Sequence, residues 1–263
     1  MNYRITVKDY SLEDIYFERA GSGTKVLLLH GWGASTASFK PVFDRLSQNY
    51  DVISLDFPGF GKSKIPPPDW GVQQYADLIA GFIFSKEFYP CNLIGHSFGG
   101  RIAILLSSQY KDLVSKVVLV DSAGLKPRRK PGYYLKVFTY KTIKRIFFFF
   151  HKDKNDIQNN ENFKRIVSIL KLGGSADYQS SGALKSIFVR VVNEDLTKYL
   201  SSIDCPVLLI YGENDKETPL YMAKKMKRRI KDSGLVVLKD AAHYSYLDQF
   251  GRFIAIVDYF FMH

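Results

Sequence analysis

The chain predicts a doubly wound, mostly parallel α/β sheet interrupted by one helical insertion, on three observations. Short apolar runs alternate with amphipathic ones along most of its length. A glycine-flanked serine, in Gly95-His96-Ser97-Phe98-Gly99-Gly100, stands between an apolar run and a helix-like stretch. Residues 125–195 break the alternation, carrying helix-like patterns and no convincing strand. Alternation of this kind builds a parallel sheet with helices on both faces and function at the carboxyl ends of the strands.

The strands are read from runs rich in valine, leucine and isoleucine: Val26–Leu29, Val52–Leu55, Asn92–Ile94, Val117–Val120, Val207–Tyr211 and Leu235–Leu238. Continuous apolar runs of this length suit strands buried on both faces. Between them Phe39–Asn49, Val72–Phe84, Phe98–Tyr110, Tyr221–Ile230 and Gln249–Phe261 read as helices. The expected division is a core of residues 1–124 and 196–263, with a helical lid over 125–195. Cys91 and Cys205 each open an apolar run, and the proposed sheet sets those two strands one strand apart. Two inter-strand spacings of about 4.8 Å exceed the reach of a disulfide, so two free, buried thiols are expected.

With 263 residues, 46% of them hydrophobic and 24% charged, the chain can bury one large core, and disorder is excluded. Charged residues interrupt Met1–Ala20, and no run approaches the length of a membrane span, so a cytoplasmic protein is expected. The net charge of +11 is uneven: residues 125–195 hold fifteen basic and six acidic residues, and the remainder is nearly neutral. A basic lid could attract anionic substrates or rest on an acidic membrane, but solvated lysines on exposed helix faces account for it equally well. Phe147-Phe148-Phe149-Phe150 is expected to pack the lid against the core, ahead of serving as a membrane tip or dimer patch. No nucleic-acid-binding motif accompanies the basic residues. The expected partner is a small-molecule substrate, and the chain is expected to be a monomer or homodimer.

The serine motif carries the chemistry. A serine on a sharp strand-to-helix turn projects its hydroxyl from the backbone, and glycines on either side let strand and helix pass closely, so Ser97 reads as a nucleophile. A serine nucleophile needs a base, an acid to orient that base, and donors for an oxyanion. His243 follows the run Leu235–Leu238, and Asp215 follows Val207–Tyr211, so both belong on strand-end loops. The backbone N–H groups of Phe98 and of Trp32, in His30-Gly31-Trp32-Gly33, are placed to be the oxyanion donors. Asp121, at the end of Val117–Val120, is a rival for the acid. His30 and His96 are expected to hydrogen-bond their turns, and Asp56 to hold a tight turn; His151 and His263 have no identifiable partner. No metal-site spacing, G-x-G-x-x-G or P-loop is present, so no metal and no cofactor are expected.

Together with Asp56-Phe57-Pro58-Gly59-Phe60-Gly61-Lys62-Ser63 and Gly212-Glu213-Asn214-Asp215 ahead of Pro219, these motifs resemble the α/β-hydrolase fold superfamily from His30 to His243. The order Ser97, Asp215, His243 is the one that resemblance implies. It implies a lidded serine hydrolase that cleaves a small or medium carboxylic ester or thioester by two-step acyl transfer. A serine at the elbow departs from dehalogenases and epoxide hydrolases of this fold, which carry aspartate there. H-G-W-G in place of H-G-G-G gives no support for esters of bulky tertiary alcohols. A carbon–carbon bond hydrolase or peptidase with the same triad, and a non-hydrolytic receptor for a small ligand, are the alternatives.

Overall fold

The computed structural model describes residues 9–126, 131–151, 160–170 and 176–263. Among them β1 (Phe17–Ala20), β2 (Lys25–Leu29), β3 (Asp51–Leu55), β4 (Cys91–His96), β5 (Val114–Val120), β6 (Val207–Gly212) and β7 (Ser233–Leu238) form a seven-stranded sheet. Its order is β1-β3-β2-β4-β5-β6-β7. All neighbours are parallel except β1, which runs antiparallel to β3 at the edge. The apolar runs read from the sequence become the strands of the parallel part, and residues such as Val26 to Leu29 are fully buried. Each aliphatic side chain so buried contributes roughly 1.5–3 kcal/mol.

Helices cover both faces. On one lie α1 (Thr36–Leu46), the single turn α9 (Ser245–Asp248) and, at the C-terminal end, α10 (Phe250–Met262), whose Phe253, Val257 and Phe261 recur at four-residue spacing and are buried. On the other lie α2 (Val72–Ser85), α3 (Phe98–Gln109) and α8 (Leu220–Lys227). Helix α1 begins three residues earlier than its first large apolar residue suggests, because the Ser35 side chain accepts the Ala37 N–H and caps it. Cys91 is free and buried within β4; Cys205 is free but only half-buried, since it lies in the turn ahead of β6.

The chain divides into two compact units, Met1–Lys126 with Ala183–His263, and Pro127–Gly182. The second unit is narrower than the insertion expected over 125–195. Helix α7 (Lys185–Asn193) belongs to the first unit, because its Ile187 and Val191, with Leu196 beyond it, are buried in the sheet's own core. The second unit contains α4 (Pro131–His151), α5 (Glu161–Ile169) and α6 (Ala176–Ser180). Within it the Tyr140 and Phe147 rings meet the buried Phe163, at 5.9 and 5.3 Å between centroids. The side chains of Phe148, Phe149, Phe150 and His151 lie outside the described residues. Among the described residues no helix is long and apolar enough to cross a membrane.

Strand order reverses between β2 and β4: the chain steps from β2 to β3 on one side, then crosses to β4 on the other. Ligands of open α/β sheets bind beyond the carboxyl ends of the strands at a reversal of this kind. The turn from β4 into α3 lies at this reversal, and glycine makes the turn possible. A side chain at Gly99 would penetrate the Leu29 carbonyl oxygen, and one at Gly95 would sit 2.7 Å from the Gly99 carbonyl oxygen. Gly99→Ala is therefore expected to destabilise the fold by about 3 kcal/mol, backbone having nowhere to yield. A thermal melt within a degree of the parent would refute this.

Candidate active site

Ser97 links β4 to α3 with φ 48° and ψ −107°, a conformation that side-chain-bearing residues rarely adopt. Its surroundings over-determine it. Its N–H donates to the Val120 carbonyl at 3.1 Å, and its own carbonyl accepts the N–H groups of Gly100 and Ala123, each at 3.1 Å. Gly31 lies against it, since a Cβ built there would stand 3.4 Å from the Ser97 Cβ. The Trp32 ring packs edge-on to Phe98 at 5.3 Å and also meets Phe60 and Phe188. Phe98 opens α3, where helical N–H groups have no acceptor inside their own helix. The loop after β2 and the first residue of α3 thus flank the serine, as the sequence motifs predict.

Asp215 and His243 come together although 28 residues separate them. The loop after β6 is tied to the loop after β7, the Asn214 N–H donating to the Ala241 carbonyl at 2.9 Å. His243 Nδ1–H donates to Asp215 Oδ2 at 2.9 Å, leaving the Nε2 lone pair on the far side of the ring. The Asp215 side chain is fully buried and that of His243 is 13% exposed. Asp215 Oδ1 accepts the N–H groups of Glu217 and Thr218 at 2.8 and 3.1 Å, and Oδ2 also accepts the Thr218 hydroxyl at 2.6 Å. Burial opposes the ionised form, but these bonds, His243 first, outweigh it and hold the carboxyl below the usual range. Burial likewise pulls the His243 imidazolium down, and the hydrogen bond to Asp215 with the charges of Asp215, Glu217 and Asp121 reverses that, leaving its pKa raised.

His243 is joined to the elbow strand by His96, whose Nε2–H donates to the His243 carbonyl at 2.7 Å, with the two rings 4.9 Å apart. His30 accepts the Phe57 N–H at Nε2 and donates from Nδ1 to the Gly31 carbonyl; burial lowers its pKa to about 4, so it is neutral and shapes its turn. Asp56 accepts the Thr36 and Lys62 N–H groups at 2.6 and 2.8 Å, a tight-turn role. His263 bonds the Tyr259 carbonyl at the end of α10. Asp121 spends its carboxylate on backbone: it accepts the N–H groups of Gly212 at 2.7 Å and Ser245 at 3.1 Å. Glu217 escaped the sequence reading; its Oε2 stands 3.5 Å from His243 Nε2. The available signal was its place two residues beyond Asp215, inside the turn that Asp215 caps. Among the described residues no group of three or more His, Cys, Asp or Glu side chains is placed to hold a metal ion.

A mostly parallel sheet with a strained serine at a strand-to-helix turn, and with later strand-end loops that pair an imidazole with a buried carboxylate, has the architecture of the α/β class of hydrolases. The chain is a member of the alpha/beta hydrolase fold family, whose model matches residues 24–250. It is 30% identical over 249 residues to the hydrolase YugF of Bacillus subtilis, across 91% of this chain and 90% of that protein. It is 29% identical over 243 residues to a pimeloyl-(acyl-carrier protein) methyl ester esterase of Neisseria meningitidis, across 88% and 90% respectively. Among solved structures, an esterase of Exiguobacterium antarcticum superposes with a TM-score of 0.70 at 27% identity, covering 93% of this chain and 94% of that one.

Proposed function

We propose that the protein is a serine hydrolase that cleaves a small or medium carboxylic ester or thioester through an acyl-enzyme. Ser97 is the nucleophile, His243 the general base, Asp215 the acid that orients it, and the N–H groups of Phe98 and Trp32 the oxyanion donors. The observation that carries this reading is the 2.9 Å bond from His243 Nδ1 to a fully buried Asp215, on a loop tied by His96 to the strand that presents Ser97. The neutral imidazole then has its lone pair at Nε2, the state required to take the serine proton. Attack forms a tetrahedral oxyanion; its collapse expels the alcohol or thiol, protonated by His243, and water activated by the same imidazole releases the acid. An ester is favoured among acyl substrates because the Neisseria and Exiguobacterium relatives are named esterases. In this reading the inserted unit Pro127–Gly182 is the lid.

Incubation with a fluorophosphonate, peptide mapping by mass spectrometry, and turnover of p-nitrophenyl esters of increasing acyl length test the assignment. Adduct at Ser97 with ester turnover is expected; labelling elsewhere, or none, would sink it.

The pH dependence follows from the same geometry. Turnover requires neutral His243, so kcat/KM is expected to rise with pH through a midpoint above the ordinary imidazole value of about 6.5. Glu217→Gln removes one of the charges that raise this pKa and is expected to move the midpoint down. The shift is expected to be small and to fade with added salt, because the Glu217 side chain is 64% exposed. An unmoved midpoint at low ionic strength would mean that the 3.5 Å approach carries no free energy in solution.

A further inference from the structure

We propose that Asp121 and His96 are positioning residues that clasp the backbone of the base loop on both sides of Tyr244, holding His243 in register with Ser97 and Asp215. The proposal rests on the assignment of Ser97, His243 and Asp215 given above. Strand β5 lies between β4, which presents Ser97, and β6, which leads to Asp215, so its last residue is followed by a side chain central to the three functional loops. That side chain is Asp121. It is fully buried and sits at φ 42°, a left-handed conformation that Asp tolerates better than most residues. Its Oδ2 accepts the N–H of Ser245, just past His243, and its Oδ1 accepts the N–H of Gly212, ahead of Asp215. Its own carbonyl lies 2.9 Å from the Thr218 hydroxyl, whose single proton is shared between it and Asp215 Oδ2 at 2.6 Å.

The other half of the clasp comes from β4. His96 Nε2–H donates to the carbonyl of His243, so the base loop is held at a carbonyl and, two residues on, at an N–H. A carbonyl only accepts, so His96 carries its proton on Nε2, and Nδ1 is a buried lone pair without a partner. That atom faces Gly31, where a Cβ would stand 2.8 Å away, and the ring is enclosed by His243, Tyr244 and Tyr246. Burial holds His96 neutral, with its pKa lowered to about 3. A backbone whose polar groups are spoken for on two strands cannot shift without stranding buried donors and acceptors, and a misplacement of about 1 Å costs on the order of 100-fold in rate.

The test compares kcat and KM for p-nitrophenyl acetate, with thermal melts, in Asp121→Asn, His96→Leu and His96→Gln. Asparagine presents an N–H pair where the carboxylate accepted, so one backbone N–H loses its acceptor. Asp121→Asn is expected to lower kcat about 10- to 100-fold with KM within about twofold. His96→Leu is expected to do the same, and His96→Gln to recover most of it, because its amide nitrogen lies as many bonds from Cα as Nε2 does. In an Asp215→Asn background, Asp121→Asn is expected to cost less than about threefold more, since groups that act through one another are not additive. Melts that fall while kcat stays put would overturn the proposal and leave the nucleophile and base assignment intact. Asp121→Asn inactivating as fully as Ser97→Ala, with Asp215→Asn active, would overturn both, Asp121 then being the acid itself. Should Asp121→Asn not fold, the His96 pair decides: equal kcat in Leu and Gln variants overturns the clasp.

Discussion

Replacing Ser97 by alanine is expected to lower the hydrolysis of an activated ester by at least about 10^4-fold and to abolish labelling by a fluorophosphonate, while leaving the melting transition nearly in place. The size of the loss follows from the role proposed for the hydroxyl: without it no covalent acyl-enzyme forms, and the proposed oxyanion donors and bound substrate alone would retain only a small part of the catalysis. The small effect on stability follows from the backbone. The strained turn is held by the bonds of Ser97's own N–H and carbonyl to Val120, Gly100 and Ala123, none of which involves its side chain. Alanine keeps all three, so a stability change within about 0.5 kcal/mol is expected. Parent-like ester turnover by the folded variant would remove Ser97 from the mechanism.

Asp215→Asn is expected to lower kcat by about 10^4-fold with little change in KM. An amide facing His243 Nδ1 presents N–H to a nitrogen that must itself be the donor, or else turns its oxygen to His243 and its NH2 to the backbone N–H groups of Glu217 and Thr218, which are then stranded. The first arrangement forces the proton onto Nε2, which then cannot accept from Ser97. This variant, unlike the first, is expected to lose stability too, by about 1–3 kcal/mol, because four donors converge on the native carboxylate. The linkage has a definite sign. The folded-state pKa of Asp215 is lowered, so its contribution is present above the unfolded carboxyl pKa and is lost as pH falls through the folded one. The stability gap between parent and Asp215→Asn is therefore expected to be open at neutral pH and to close in acid. A gap that widens in acid would contradict the hydrogen-bonding described for this carboxylate.

The choice between Asp215 and Asp121 marks the boundary of what sequence can decide. Both residues follow an apolar parallel strand; the motif Gly212-Glu213-Asn214-Asp215 ahead of Pro219 favours Asp215, but it does not say where either residue's oxygens point. In the folded chain Asp121 spends its carboxylate on the backbone N–H groups of Gly212 and Ser245, while Asp215 faces the His243 ring. Likewise β1 was illegible, because Phe17-Glu18-Arg19-Ala20 is too short and too polar to stand out, and it is a strand only because β3 offers it an antiparallel edge. The insertion was read as extending to 195 for a related reason: α7 has a helix-like pattern like the insertion's, and only its burial against the sheet places it with the first unit.

What the sequence by itself determined is what short-range chemistry controls: the parallel strands as apolar runs, the helices as amphipathic stripes, and the glycine-bounded turn that strains Ser97. The tertiary structure alone decided the strand order and the place of its reversal, the partners of the Asp215 and Asp121 carboxylates, and the approach of Glu217 to His243. The physical reason is range. A turn or a helix face is specified by residues a few positions apart, whereas the bonds from His243 to Asp215 and from His96 to the His243 carbonyl join positions 28 and 147 residues apart, and they exist only once packing has brought the strand ends together.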